Sequence, residues 1–191
     1  MSNEKQTASE NKLTRATVVY LVDTDGKVCL AQMKKAIHKD EVHGGEQIEY
    51  SLGVWNGYGG KEEESDRKYC EQNGINNSML YTAIRELEEE SGVKAVMEDL
   101  EERGAVNFYL REKSDLPFMQ VHFYILHKWG GQPIEGKEMG APTFFDKENI
   151  PYEQMMPADK ILFERLLVGE RIDSDVILIG KGIEPIVQFM L

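Results

Sequence analysis

The sequence predicts an α+β domain. Three observations carry this. β-Branched apolar runs near the start and past the middle of the chain read as strands, two segments have helical apolar spacing, and the two types do not alternate regularly. Residues 17–22 (TVVYLV) form the first strand, and Asp23-Thr24-Asp25-Gly26 is a turn signal. Residues 28–33 return as the second strand of a hairpin. Residues 36–49 are polar, contain Gly44-Gly45, and read as a loop. Gly57, Gly59 and Gly60 within residues 55–60 suggest a chain that passes close to something. Residues 62–77 are charged, contain Asn73-Gly74, and read as a second long loop.

Residues 78–91 give the clearest helix. Leu80, Ile84, Leu87 and Ser91 recur on one face with Ala83 beside them. Asn77 or Ser78 can cap its start, and Gly92 supplies a left-handed stop. Strands follow at residues 106–110, 119–126 and 143–145. Residues 158–168 read as a second helix with Ile161, Leu162, Phe163, Leu166 and Leu167 as its apolar face. Residues 176–179 and 186–189, around Gly180-Lys181-Gly182, read as a closing hairpin. No composition shift splits the chain. Residues 1–13 are expected to be a disordered tail, and residues 14–191 a single domain with long loops near 37–52 and 62–76.

The 191 residues carry 22 basic and 34 acidic side chains, a formal net charge of −12. So acidic a surface repels phosphate backbones at long range, which argues against extended nucleic-acid binding. A small anionic substrate remains compatible if cations mediate the contact. No apolar run is long enough to cross a membrane, and residues 1–12 lack the apolar core of a secretory signal. Cys29 and Cys70 have neither zinc-site spacing nor a disulfide framework. The expected location is cytoplasmic. No protein partner is predicted.

The chemistry concentrates in Arg85-Glu86-Leu87-Glu88-Glu89-Glu90-Ser91-Gly92-Val93. At about 100° per residue, Glu86, Glu89 and Glu90 share one flank of the helix and Glu88 takes the other. Carboxylates within one turn repel one another, and the helix C-terminus disfavours anions. Taken alone, the charge run reads as a solvated face. The alternative is a hard divalent cation, Mg²⁺ or Mn²⁺, which prefers carboxylate oxygens and would remove the conflict.

The surrounding residues resemble the Nudix hydrolase family. Its signature is G-x5-E-x7-R-E-U-x-E-E-x-G-U, with U bulky and aliphatic. Arg85, Glu86, Leu87, Glu89, Glu90, Gly92 and Val93 match every specified position of the second half. Residues 55–61 (WNGYGGK) resemble the segment that opens the signature. The first half departs: Gly60 precedes Arg85 by twenty-five positions instead of fourteen, and the slot eight before Arg85 holds Asn77 instead of Glu. In the family that Glu helps hold the Arg, and Glu71, or one of Glu62, Glu63 and Glu64, is left to fill that role. Further stretches resemble the animal MutT-type branch of the family, which hydrolyses oxidised purine nucleoside triphosphates such as 8-oxo-dGTP. They are residues 17–35, residues 118–123 (FMQVHF), residues 135–139 (EGKEM), and then Phe145, Ile150-Pro151, Met155, Pro157, Asp159, Phe163 and Leu166-Leu167.

The resemblance implies an α/β/α sandwich with a mixed central sheet and an acidic catalytic helix. It implies water attack on a pyrophosphate linkage, with a purine nucleoside triphosphate giving monophosphate and pyrophosphate. Glu86, Glu89, Glu90, Glu138 and the Gly59 carbonyl match metal ligands, for Mg²⁺ with Mn²⁺ as an alternative. Glu89 is the expected general base, with Glu86 and the bracing Arg85 beside it. Lys34 and Lys61 match phosphate contacts, with solvated lysines as the plain alternative. Asn56 and Asp159 match base-reading residues, Met156 stands where an aromatic covers the base, and Ala158 replaces a second acid. Met119 lines the pocket or fills the core. His122 and His127 read as structural histidines, and Cys70 as a surface thiol. Two other readings stay open: a Nudix hydrolase of another diphosphate derivative, such as a dinucleotide or ADP-ribose, and a nucleotide sensor without turnover.

Overall fold

In the computed structural model, which describes residues 13–34, 52–110, 116–179 and 184–189, β-branched and aromatic runs pair into one sheet. Strands β1 (Thr14–Val22), β2 (Val28–Gln32), β3 (Trp55–Asn56), β4 (Leu100–Leu110), β5 (Met119–Leu126), β6 (Thr143–Phe145), β7 (Ser174–Ile179) and β8 (Glu184–Phe189) are joined by helices α1 (Glu64–Asn73), α2 (Ser78–Ser91) and α3 (Asp159–Leu167). The strand order is β3-β2-β1-β5-β4-β7-β8, with β6 added against β2. The sheet is mixed: β1 runs parallel to β5 and β4 to β7, and the other pairs are antiparallel.

Alternation along the strands divides the core in two. Val19, Leu21, Tyr124 and Leu126 face α2 and pack with Ala83, Leu87 and Val93. Tyr20, Val22, Val121, Phe123 and Ile125 face α3 and pack with Leu162, Phe163 and Leu166. Helices thus cover both faces of a mixed sheet, the α+β class the sequence predicts and the sandwich the resemblance implies. Among the described residues, no helix is long and apolar enough to cross a membrane.

The expected hairpin is present. Its turn is fixed by Asp23, whose Oδ1 accepts from Asp25 N–H at 2.9 Å and from Lys27 N–H at 2.8 Å, the local bonding that suits aspartate to turns. The second loop is not a loop. Most of residues 62–76 form α1, which has only two buried side chains, Asp66 and Cys70. With no apolar stripe it gives no helical periodicity; its end chemistry defines it instead. Asp66 Oδ2 accepts from Glu63 N–H at 3.0 Å as part of a capping box. Gly74 closes the helix at φ 68°, the left-handed stop that glycine makes without strain. Cys70, expected at the surface, is buried, because it stands one turn after the buried Asp66 on the same face of α1. β4 begins at Leu100, ahead of the expected start at Val106, because its opening residues (LEERGA) hide the alternation in charge. The expected loop at 37–52 lies largely outside the described residues, as do the tail at 1–12 and the Gly180-Lys181-Gly182 turn.

Candidate active site

Gly92 ends α2 with φ 71°, and its N–H bonds to the Glu88 carbonyl. Asn77 caps the other end, its Oδ1 accepting from Met79 N–H at 3.0 Å and Leu80 N–H at 3.4 Å. Asn77 is therefore a helix cap. It takes no part in bracing Arg85.

That role belongs to Asp66. Arg85 donates from Nε to Asp66 Oδ1 at 2.7 Å and from Nη2 to Oδ2 at 2.9 Å, a two-point clasp. Thr82 Oγ1 adds a bond to Oδ2 at 3.0 Å, and the Asp66 side chain is 1% exposed. Burial raises its carboxyl, but Arg85, the Glu63 N–H and Thr82 outweigh that and hold it below the usual carboxylate range. None of Glu62, Glu63, Glu64 and Glu71 takes this place. The sequence signal was present: counting six forward from Gly60 reaches Asp66, the acidic slot of the signature with Asp for Glu. The extra residues lie between Asp66 and Arg85, where they complete α1 and its link to α2. Counting back from Arg85 instead lands on the cap.

The same guanidinium ties the acidic flank together. Nη2 also donates to Glu86 Oε1 at 2.9 Å and to the Lys61 carbonyl at 3.3 Å, and Nη1 donates to Glu89 Oε2 at 3.0 Å. Glu89 is 60% exposed at its side chain and Glu86 16%. Glu90 Oε2 accepts the Gly59 N–H at 2.7 Å. Glu88 faces away, 3.8 Å from Lys94.

Gly59 is held against β1. A Cβ there would stand 2.0 Å from the Thr17 carbonyl oxygen, so only glycine allows this approach. At Gly60 a Cβ would meet the Glu86 carboxylate at 2.4–2.6 Å. The Gly60 carbonyl accepts from Thr17 N–H at 2.9 Å, whereas the Gly59 carbonyl takes no bond among the described residues. Gly136 packs against the Glu90 carbonyl and so brings the loop bearing Glu138 to the same corner. Lys34 N–H bonds to the Glu138 carbonyl at 2.7 Å.

Burial, followed by the charges of Glu86, Glu138 and Glu89, pushes the Glu90 carboxyl up to about 8, against the Gly59 hydrogen bond. Burial raises Glu86 as well, although Arg85 opposes it. Among the described residues, no three acidic, histidine or cysteine side chains are preassembled as an ion cage. Arg85 holds Glu89, and the Gly59 N–H holds Glu90. The donor chemistry nonetheless fits a hard cation: oxygen donors only, crowded like charges, and one carboxylate whose ionisation burial opposes.

Lys34 Nζ is engaged by Glu135 and by the Gly136 carbonyl, the latter at 3.0 Å, so it fastens β2 to the Glu138 loop. Lys61 is exposed, and its carbonyl accepts from Arg85.

The remaining predicted residues lie on the α3 side of the sheet. Asn56 Oδ1 accepts from Gly57 N–H at 2.8 Å and from the Tyr20 hydroxyl at 3.3 Å. Asp159 is buried, and its Oδ2 has no partner among the described residues. Burial pushes its carboxyl up to about 7, partly offset by a backbone hydrogen bond at Met156. Met119 is half-buried against the α3-side core, and Met156 is half-buried. Ala158 points into that core. Trp55 and Phe145 meet edge-on at 5.0 Å between ring centres.

His122 sits on the α2 face, 3.0 Å from Gln120 Oε1, and burial followed by Arg15 lowers its pKa. His127 is half-exposed, 4.0 Å from Glu101. Neither reaches the α2 glutamates by hydrogen bond. The sequence reading missed Glu62 as a hub. Its 2%-exposed carboxylate accepts from Arg15 at 3.3 Å, Arg67 at 2.8 Å and Ser78, tying β1, α1 and α2 together.

No protein-family model matches the chain. It is 31% identical over 136 residues to the oxidized purine nucleoside triphosphate hydrolase of Mus musculus, covering 68% of this chain and 77% of that one. The Danio rerio protein of the same name is 28% identical over 158 residues, 83% of each chain. Among solved structures, the mutator MutT protein of Bacillus halodurans superposes with a TM-score of 0.64 at 20% identity, covering 92% of this chain and 97% of that one. The MutT protein of Methanosarcina mazei Go1 gives 0.56 at 18% identity, covering 83% and 95%. These two likenesses speak to the fold alone.

Proposed function

The chain belongs to the MutT-type Nudix hydrolases, and from that premise we propose that it hydrolyses an oxidised purine nucleoside triphosphate to the monophosphate and pyrophosphate. The observation that carries the reading is the Arg85 clasp, which gathers Asp66, Glu86 and Glu89 beside Gly59 and Glu90. Both curated relatives are named as hydrolases of oxidized purine nucleoside triphosphates.

Hydrolases of this family generally need a divalent metal. Glu86, Glu89, Glu90, Glu138 and the Gly59 carbonyl would hold it, Mg²⁺ in this reading with Mn²⁺ as an alternative. When bound, the ion supplies charge neutralisation for the triphosphate and Lewis acidity for water. The side chains divide the remaining work. Glu89, the most exposed of the carboxylates on this flank, accepts the proton of the attacking water as general base. Arg85, fixed from behind by Asp66, keeps Glu86 and Glu89 at a constant spacing, so little reorganisation is left for the reaction. Lys34 and Lys61 meet phosphate oxygens at the rim. Asn56 and Asp159 read the base edge, while Met119 and Met156 cover its faces.

The second reading rests on Ala158, which packs into the core and leaves Asp159 as the single acid of the base pocket. That pocket is less selective than one with two acids, which suits another nucleoside diphosphate derivative. A panel of oxidised and ordinary purine triphosphates with ADP-ribose separates the two. Faster turnover of ADP-ribose than of any triphosphate would favour the second.

A further inference from the structure

Asn56 ends the short strand β3, beside Tyr20 on β1. A backbone N–H can only donate. The 2.8 Å bond from Gly57 therefore requires the amide oxygen of Asn56, not its nitrogen, on that side. The Tyr20 hydroxyl lies 3.3 Å from the same oxygen, so it too must donate. With both donors on Oδ1, the Asn56 NH₂ group is turned away from them, and no described residue accepts from it.

The tyrosine itself is held firmly. It is fully buried, and its ring centre lies 4.4 Å from that of Phe163 and 6.5 Å from that of Phe123. Phe163 stands one turn after Asp159 on α3, and the Asp159 charge acts on Tyr20. The hydroxyl thus meets Asn56 on one side, and its ring packs on the helix that carries Asp159. The buried Asp159 Oδ2 stays without a described partner.

We propose that Tyr20 is a positioning residue that fixes the Asn56 amide with its NH₂ toward the bound base, so that the pocket selects bases offering an acceptor at that edge. This rests on the functional reading above and adds to it the residue that sets the sense of the contact. The site gains discrimination because a base presenting a donor there would meet a donor and leave two groups unpaired.

The test is a double-mutant cycle read in KM and kcat. Wild type, Tyr20→Phe, Asn56→Ala and the double variant are assayed on the purine triphosphate that the wild type turns over best. Tyr20→Phe keeps the ring packing, and its melting curve confirms the fold. The expected result is a KM raised about 3- to 10-fold, the worth of one neutral hydrogen bond, with kcat within about twofold. In the Asn56→Ala background the same change should have no further effect. Asn56→Asp keeps both bonds to its side-chain oxygen but removes the NH₂, and should raise KM as much as Asn56→Ala does. Additive effects of Tyr20→Phe and Asn56→Ala, or a wild-type KM in Asn56→Asp, would overturn the proposal while leaving the functional reading intact. A wild type that releases no pyrophosphate from any purine triphosphate would overturn both.

Discussion

Replacing Asp66 by alanine removes four hydrogen-bond acceptances at once: two from Arg85, one from Thr82 and one from the Glu63 N–H. The carboxylate is almost wholly buried, and Arg85 is largely so. Removing one partner of a buried ion pair costs about 3–5 kcal/mol, because the other charge is left in a poor environment. Glu86 and Glu89 remain as partners for Arg85, which places the cost near the low end, about 3 kcal/mol. For a chain of this size about 1 kcal/mol moves Tm by roughly 2–4 °C, so the melt should fall by roughly 6–12 °C. The freed guanidinium then leans on Glu86, Glu89 and the Lys61 carbonyl and draws the two glutamates from their places. A misplacement of about 1 Å at a reacting centre costs on the order of 100-fold, and kcat should fall by about that much. Acid should narrow the difference in stability. The Asp66 carboxyl lies below its usual value when folded. Its contribution is therefore present above the unfolded pKa of about 3.9 and is lost as pH falls through the lower folded value. Thermal melts at pH 7 and pH 3, with pyrophosphate release at pH 7, measure all three. A variant with Tm within about 2 °C and kcat within about twofold of wild type at pH 7 would refute the role of Asp66.

Two further predictions concern the two ends of the site. Asp159→Asn should become the more stable protein as pH rises. Burial pushes the wild-type carboxyl up to about 7 when folded, against about 3.9 when unfolded, so wild type loses about 4 kcal/mol between those values and the amide does not. Melts at pH 5 and pH 8 check this, and an unchanged difference between the two proteins would contradict it. Gly59→Ala should lose about 1–3 kcal/mol of stability and on the order of 100-fold in kcat. Its Cβ would lie 2.0 Å from the Thr17 carbonyl oxygen and push the loop off Glu90. A melt and an activity assay both at wild-type values would show that the loop has room to move.

Much of this fold was legible because strand alternation and the α2 stripe are direct consequences of burial. Thr17 to Val22, Met119 to Leu126 and the Ser78–Ser91 helix all express it. α1 was not legible for the converse reason. It buries only Asp66 and Cys70, so no periodicity marks it, and its capping box looks like one more charged pair in a charged stretch. The acidic flank of α2 was visible because it breaks helix electrostatics. Its brace was hidden by the position of the extra residues, which separates Asp66 from Arg85 in sequence while α1 returns it in space. Tyr20 gave no signal at all, since an aromatic in an apolar strand is ordinary core until its hydroxyl is seen to reach Asn56.

The central claim is tested most directly by product analysis. Wild type and Glu89→Gln are incubated with 8-oxo-dGTP, dGTP, dATP and ADP-ribose, with Mg²⁺ and again with a chelator. The account predicts pyrophosphate and monophosphate from 8-oxo-dGTP with Mg²⁺, faster than from the ordinary triphosphates or ADP-ribose. It predicts almost none with the chelator, and a loss of at least about 100-fold in Glu89→Gln. Equal pyrophosphate release by wild type and Glu89→Gln, or release of orthophosphate in place of pyrophosphate, would contradict it.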